Sequence, residues 1–112
     1  MEARAIKRNN PSSPRKMRLV IDMIRGKSAQ DALNILRFAD QMAAKAAELT
    51  LKSAINNLVR KDEGIDPESI IVKAAFVDPG ATTKRISPAP MGRAYRIRKR
   101  SHHLTIIVAT KQ

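Results

Sequence analysis

Between Asp78 and His103 seven side chains are cationic (Lys84, Arg85, Arg93, Arg96, Arg98, Lys99 and Arg100), and no carboxylate follows Asp78 in that span. Fixed positive charge at this density repels itself unless a polyanion replaces the counterions. Lys and Arg do that chemistry with phosphate, through charge-assisted hydrogen bonds and release of condensed ions. A second set, Arg15, Lys16 and Arg18, follows Ser13-Pro14. There Ser is placed to cap a helix and Pro takes its first position, where a missing N–H costs nothing. Cations in a first turn oppose the helix dipole, so the arrangement costs stability until an anion is supplied. A backbone phosphate would meet both the free N–H groups and the side-chain donors. For Arg18 that role competes with pairing to Asp22, one turn on.

Other chemistries find little support. The chain has no Cys, which removes disulfides, thiolate zinc sites and thiol nucleophiles, and which fits a reducing, cytoplasmic setting. His102-His103 lacks nearby partners for a closed metal site, so no metal is expected. One of the pair should pack or hydrogen-bond at the base of the basic segment, and the other should face solvent or the polyanion. The acids Asp31, Asp40, Asp62, Glu63, Asp66 and Glu68 sit where helix caps and turns are expected, which explains them without catalysis. No enzyme, cofactor or catalytic residue is expected. The formal net charge of +12 and pI near 11.0 exceed what solubility needs. A membrane is the weaker partner, because no apolar run approaches the roughly 20 residues of a spanning helix and no signal peptide is visible.

The elements that must carry these cations follow from pattern. Residues 2 to 8 alternate small apolar with charged side chains and predict a strand. Pro14 to about Arg25 predicts a helix with Met17, Val20, Ile21 and Ile24 on its buried stripe, ended by Gly26. Ser28, with Asp31 three residues on, predicts a second N-cap and a short helix whose apolar residues are Ala32, Leu33, Ile35, Leu36 and Phe38. Asp40 is expected to cap a third helix from Gln41 to about Lys61, with Ala43, Ala47, Thr50, Ala54 and Leu58 as one stripe. Strands are predicted at Ile70 to Val77 and Leu104 to Thr110. The sequence thus predicts an α+β fold: a three-stranded antiparallel sheet covered by three helices on one face.

The connection between the last two strands is too long for a turn. In Tyr95-Arg96-Ile97-Arg98-Lys99-Arg100 cations alternate with the period of two that a strand requires, which predicts a hairpin continuing past the sheet. Pro and Gly place its reversal near Ser87-Pro88-Ala89-Pro90-Met91-Gly92. About 13 residues per arm at roughly 3.3 Å each could carry the tip on the order of 40 Å outward. The expectation is one domain, 1–112, with an extended basic hairpin over about 78–103.

Ser13-Pro14-Arg15-Lys16-Met17-Arg18-Leu19-Val20, Ile24-Arg25-Gly26-Lys27, Ser53-Ala54-Ile55-Asn56-Asn57, Lys84-Arg85, Gly92-Arg93-Ala94, Lys99-Arg100 and His103 occur in one order over almost the whole chain. Together they resemble the bacterial family of large ribosomal subunit protein twenty-two. The resemblance implies a structural constituent of the large subunit with no homo-oligomer, partnered by large-subunit rRNA and neighbouring large-subunit proteins. It also implies a hairpin driven into RNA, with its tip lining the nascent-peptide exit tunnel. Lys84 and Arg85 match the arm that packs on RNA. Pro88, Ala89, Pro90, Met91, Gly92, Arg93 and Ala94 fall at the tunnel-facing tip, next to the nascent peptide. Arg4, Lys7 and Arg8 of the first strand, Arg25 and Lys27 after the first helix, and His103 join the hairpin and helix cations as candidate RNA contacts. The turn departs from the family, which more often has a further Arg after the first Pro. A different class, the histone-like architectural DNA-binding proteins, also extends basic β-arms with Pro near their tips, but as dimers.

Overall fold

The computed structural model describes residues 2–88 and 94–110. Its elements in order are β1 (Glu2–Asn10), α1 (Pro14–Asp22), α2 (Ala29–Arg37), α3 (Ala43–Lys61), a single 3₁₀ turn (Pro67–Ser69), β2 (Ile70–Pro88) and β3 (Ala94–Thr110). The strands form one antiparallel sheet in the order β1-β3-β2. The predicted α+β class and its three helices are therefore the observed ones.

Strand alternation divides the sheet into two faces. Register aligns Ala3, Val108 and Val72 in one row and Ala5, Ile106 and Ala75 in the next. All six are buried, together with Leu104 and Val77, beneath Met17, Val20, Ile21 and Ile24 and the α3 residues Ala47, Leu51, Ala54 and Leu58. Alanines at 3, 5, 47 and 54 remove side-chain bulk between α3 and β1, so the helix lies close along that edge. From there Asn57 Nδ2 donates to Arg4 O at 3.0 Å and Lys61 Nζ donates to Glu2 O at 2.9 Å.

Several local expectations are corrected. Helix α1 stops at Asp22, and the chain tightens into i→i+3 bonds from Met23 N to Val20 O and from Ile24 N to Ile21 O. Ile24 stays fully buried, which is why the apolar period runs on to Arg25. Gly26 then reverses the chain at φ +79°, a left-handed value that favours glycine. Its N–H bonds Val72 O while Val72 N–H bonds Lys27 O, so the α1–α2 loop seals part of the outer edge of β2. Ser13 makes no side-chain cap, whereas Ser28 accepts from Asp31 N–H as expected. Asp40 does not cap α3: the N-cap position falls at Met42, and the first turn closes through Ala44 N–H to Gln41 O. Helix α2 ends at Arg37 with Phe38 as its C-cap, close to the expected end, and the Phe38 side chain, off the buried Ala29, Ala32 and Leu36 stripe, is 80% exposed.

Strands β2 and β3 continue past the sheet as a two-stranded ribbon, paired as far as Ser87↔Tyr95 and Pro88↔Ala94. The ladder reaches further than expected, since Pro is tolerated on a strand with a free edge. The predicted reversal at 89–93, with Ala89, Pro90, Met91, Gly92 and Arg93, lies outside the described residues. The long axis of the molecule is 65 Å, against 24 and 16 Å across.

Candidate nucleic-acid interface

Where the ribbon leaves the body the β2–β3 ladder breaks between Pro79 and Thr82, leaving Gly80 and Ala81 as a bulge. Ser101 Oγ donates to Ala81 O at 2.6 Å and pins it. A Cβ on Gly80 would stand 2.7 Å from that hydroxyl and 3.2 Å from the Ser101 carbonyl carbon, so the close approach requires glycine.

The bulge and the start of α1 enclose a cleft of about 490 Å³ lined by Pro14, Arg15, Arg18, Pro79, Gly80, Thr82, Lys84, Arg100 and Ser101. Four of these are cations from three separate elements, α1, β2 and β3, and none is acidic. The N-terminus of α1 has no side-chain cap and no acid in its first turn, so its free N–H groups and dipole are uncompensated there. Arg18 does not pair with Asp22 as expected. Its Nη2 donates to Val77 O at 3.1 Å, which holds the guanidinium at the root of the ribbon, while Asp22 binds Arg25 at 2.7 Å. Oriented N–H groups, fixed guanidinium and ammonium charges and a hydroxyl make this a surface for phosphate oxygens.

The sequence-selected cations do not all gather here. Arg15, Arg18, Lys84 and Arg100 meet in the cleft. Lys16 lies on the other side of α1, in a groove with Pro11, Leu19 and Met42. Lys27 is exposed on the α1–α2 loop, and Lys7 is half-buried while Arg4 and Arg8 are exposed on β1. Lys99 is exposed on the ribbon. Register sets Arg98 opposite Lys84, Arg96 opposite Ile86 and Arg85 opposite Ile97.

His102 and His103 fasten β1 to the ribbon root. His102 is fully buried, with Nδ1 3.0 Å from Ser12 O and Nε2 3.0 Å from Asn10 Nδ2. A carbonyl only accepts, so Nδ1 carries the proton, which it shares with Ser12 Oγ at 3.2 Å, and Nε2 accepts from the Asn10 amide. His103 Nδ1 accepts from Asn9 N–H at 3.1 Å, where Asn9 takes a φ of +54° in the β1 irregularity. His102 is the histidine of the pair expected to pack at the base of the basic segment; its partners Asn10 and Ser12 and the Gly80 bulge were not foreseen, and Pro79-Gly80 inside a strand pattern was the available sign of a bulge.

Among the described residues no group of His, Asp and Glu could hold a metal ion, and no helix is long and apolar enough to cross a membrane.

A small body that commits this much of its chain to a cationic ribbon has the build of a ribosomal protein. The profile of the family described as "Ribosomal protein L22p/L17e" matches residues 5–109. The large ribosomal subunit protein uL22 of Chlorobium chlorochromatii is 56% identical over 110 residues, covering 96% of this chain and 92% of its own. That of Chlorobaculum tepidum is 52% identical over 110 residues with the same coverage, 96% and 92%. The chain belongs to this ribosomal protein family.

Proposed function

We propose that the chain is a structural, non-enzymatic constituent of the large ribosomal subunit and binds large-subunit rRNA. The contacts are the root cleft and the two ribbon arms, carried by one domain, 1–112, with the extension at about 78–103. The observation that carries this reading is the cleft, where Arg15, Arg18, Lys84 and Arg100 converge without a carboxylate. A phosphodiester backbone supplies the missing anion, and neighbouring subunit proteins complete the surroundings of the body. The same proposal assigns residues 88–94 to the wall of the nascent-peptide tunnel, next to the growing chain, a reading that the family relationship supports.

Two experiments test the parts separately. For RNA, the full chain is titrated with a large-subunit rRNA fragment across a salt series. The Arg15→Gln/Arg100→Gln variant should bind more weakly and with a shallower salt dependence. Unchanged binding would remove the cleft from the interface. For the tunnel, deletion of Ser87 to Pro90 should leave the body folded and incorporated into subunits, since the core residues lie outside the deletion. Macrolide sensitivity and the response to stalling peptides should fall. If both stay unchanged in fully incorporated subunits, the tip is not a tunnel element.

A further inference from the structure

All the helix packing falls on one face of the sheet. No described element covers the opposite face, and register aligns Ile6, Thr105 and Phe76 across its three strands, with Arg4, Ile107 and Ala74 in the adjoining row. Phe76 is 43% exposed and Ile6 41%, while Thr105 between them is 5% exposed. The chain has three aromatic residues, and this one is kept half in water on a flat strand rather than spent on the core. Its ring lies beside a low floor made by Thr105.

Cations flank this floor. Arg4 and Arg8 lie two residues to either side of Ile6 on β1 and are exposed. At about 4.8 Å per strand they stand roughly 10 to 12 Å from Phe76, within reach of a long side chain that contacts the phosphate of a nucleotide stacked on the ring. The acids of this face are Glu2 and Asp78. Glu2 is bound to Lys73 at 2.5 Å, and that ammonium's hydrogen bond and charge hold its carboxyl below the ordinary value. Asp78 stands opposite His103 in the register.

We infer that Phe76 is a stacking platform for an unpaired RNA base, with Arg4 and Arg8 engaging the phosphates beside it. The inference rests on the RNA-binding reading and extends it to a face that the cleft does not reach. An aromatic face accepts any base, and flanking guanidinium groups hold the backbone. A protein partner fits less well: two exposed apolar side chains bracketed by arginines fall far short of the roughly 800 Å² per partner of a stable interface.

The test compares full-chain binding to a short single-stranded oligoadenylate RNA containing 2-aminopurine with binding to an abasic ribose-phosphate strand of equal length. Wild type should prefer the base-bearing strand by about tenfold and quench 2-aminopurine fluorescence. Phe76→Ala should abolish the preference and the quenching without changing abasic binding, and Phe76→Trp should keep both. The Arg15→Gln/Arg100→Gln variant should weaken both strands equally. The stacking proposal falls if Phe76→Ala weakens both strands alike or neither, or if Phe76→Leu retains the full preference. Equal binding of both strands by wild type overturns stacking alone, whereas binding of neither overturns the RNA reading with it.

Discussion

The carbonyl of Ala75 receives two hydrogen bonds from one guanidinium, at 3.2 Å from Arg25 Nε and 2.8 Å from Arg25 Nη2. Arg25 Nη1 binds Asp22, so most of its donors are already committed. With Arg18 on Val77 O and Gly26 N–H on Val72 O, it seals the outer edge of β2 where no fourth strand exists. The expected effect of Arg25→Gln is therefore a loss of about 1–2 kcal/mol of stability, as for a partly exposed charge-assisted bond. The salt dependence of RNA binding should change less than in Arg15→Gln. Denaturant unfolding and a salt titration of the two variants check this.

Replacing Arg96, Arg98 and Arg100 together by Gln should flatten the RNA-binding salt slope. Each phosphate neutralised contributes roughly 0.7 to 0.9 to the slope of log K against log salt, so three lost contacts should reduce it by about 2 to 3. An unchanged slope would show that the ribbon is not a main contact surface.

Gly80→Ala should strain the ribbon root, because the new methyl meets Ser101 Oγ at 2.7 Å and main chain at 3.2 Å. Overpacking of this kind costs about 1–3 kcal/mol. The damage should be local: faster amide exchange at Ser101 and His102 with the amides of α3 unaffected. Double substitution with Ser101→Gly should recover part of the loss by removing the hydroxyl.

His102→Ala should cost roughly 2–4 kcal/mol, since it opens a cavity and leaves the buried Asn10 amide and the Ser12 carbonyl without their ring partners. His103→Ala removes a single half-buried acceptor and should cost less. Thermal unfolding of the two variants separates them.

In the free protein, amides of the ribbon over 82–88 and 94–100 should exchange much faster than those of α3. Two strands without a third strand or a covering helix are marginal, and the register sets Arg98 against Lys84. Protection equal to that of α3 would show that the arms hold themselves together without RNA.

The body of the fold was legible because its periods are clean: Met17, Val20, Ile21 and Ile24 read as one stripe, and β1 alternates from Glu2 onward. The cleft was half legible. Arg15, Arg18, Lys84 and Arg100 were each selected from the sequence, but their meeting depends on a bulge and a buried histidine latch that join residues 90 or more positions apart. Local pattern also offered Arg18 the wrong partner, Asp22 instead of Val77 O, because a helix-surface pair at i, i+4 looks the same whether or not a strand edge lies within reach. Asp40 was misread as a cap for a related reason: the α2–α3 connection is set by where each helix begins and ends, which tertiary packing decides to within a turn.

Within the body both outer edges of the sheet are closed, by Arg18, Arg25 and the 26–28 loop on β2 and by Asn57 and Lys61 on β1. Beyond Asp78 and Asn10 no such cover is seen among the described residues, so a copy not yet assembled offers two bare strand edges to any other copy. Edges of that kind template aggregation unless like charge keeps them apart. The cations that would later grip RNA thus guard the chain against itself beforehand, and that protection is only as strong as the surrounding ionic strength allows.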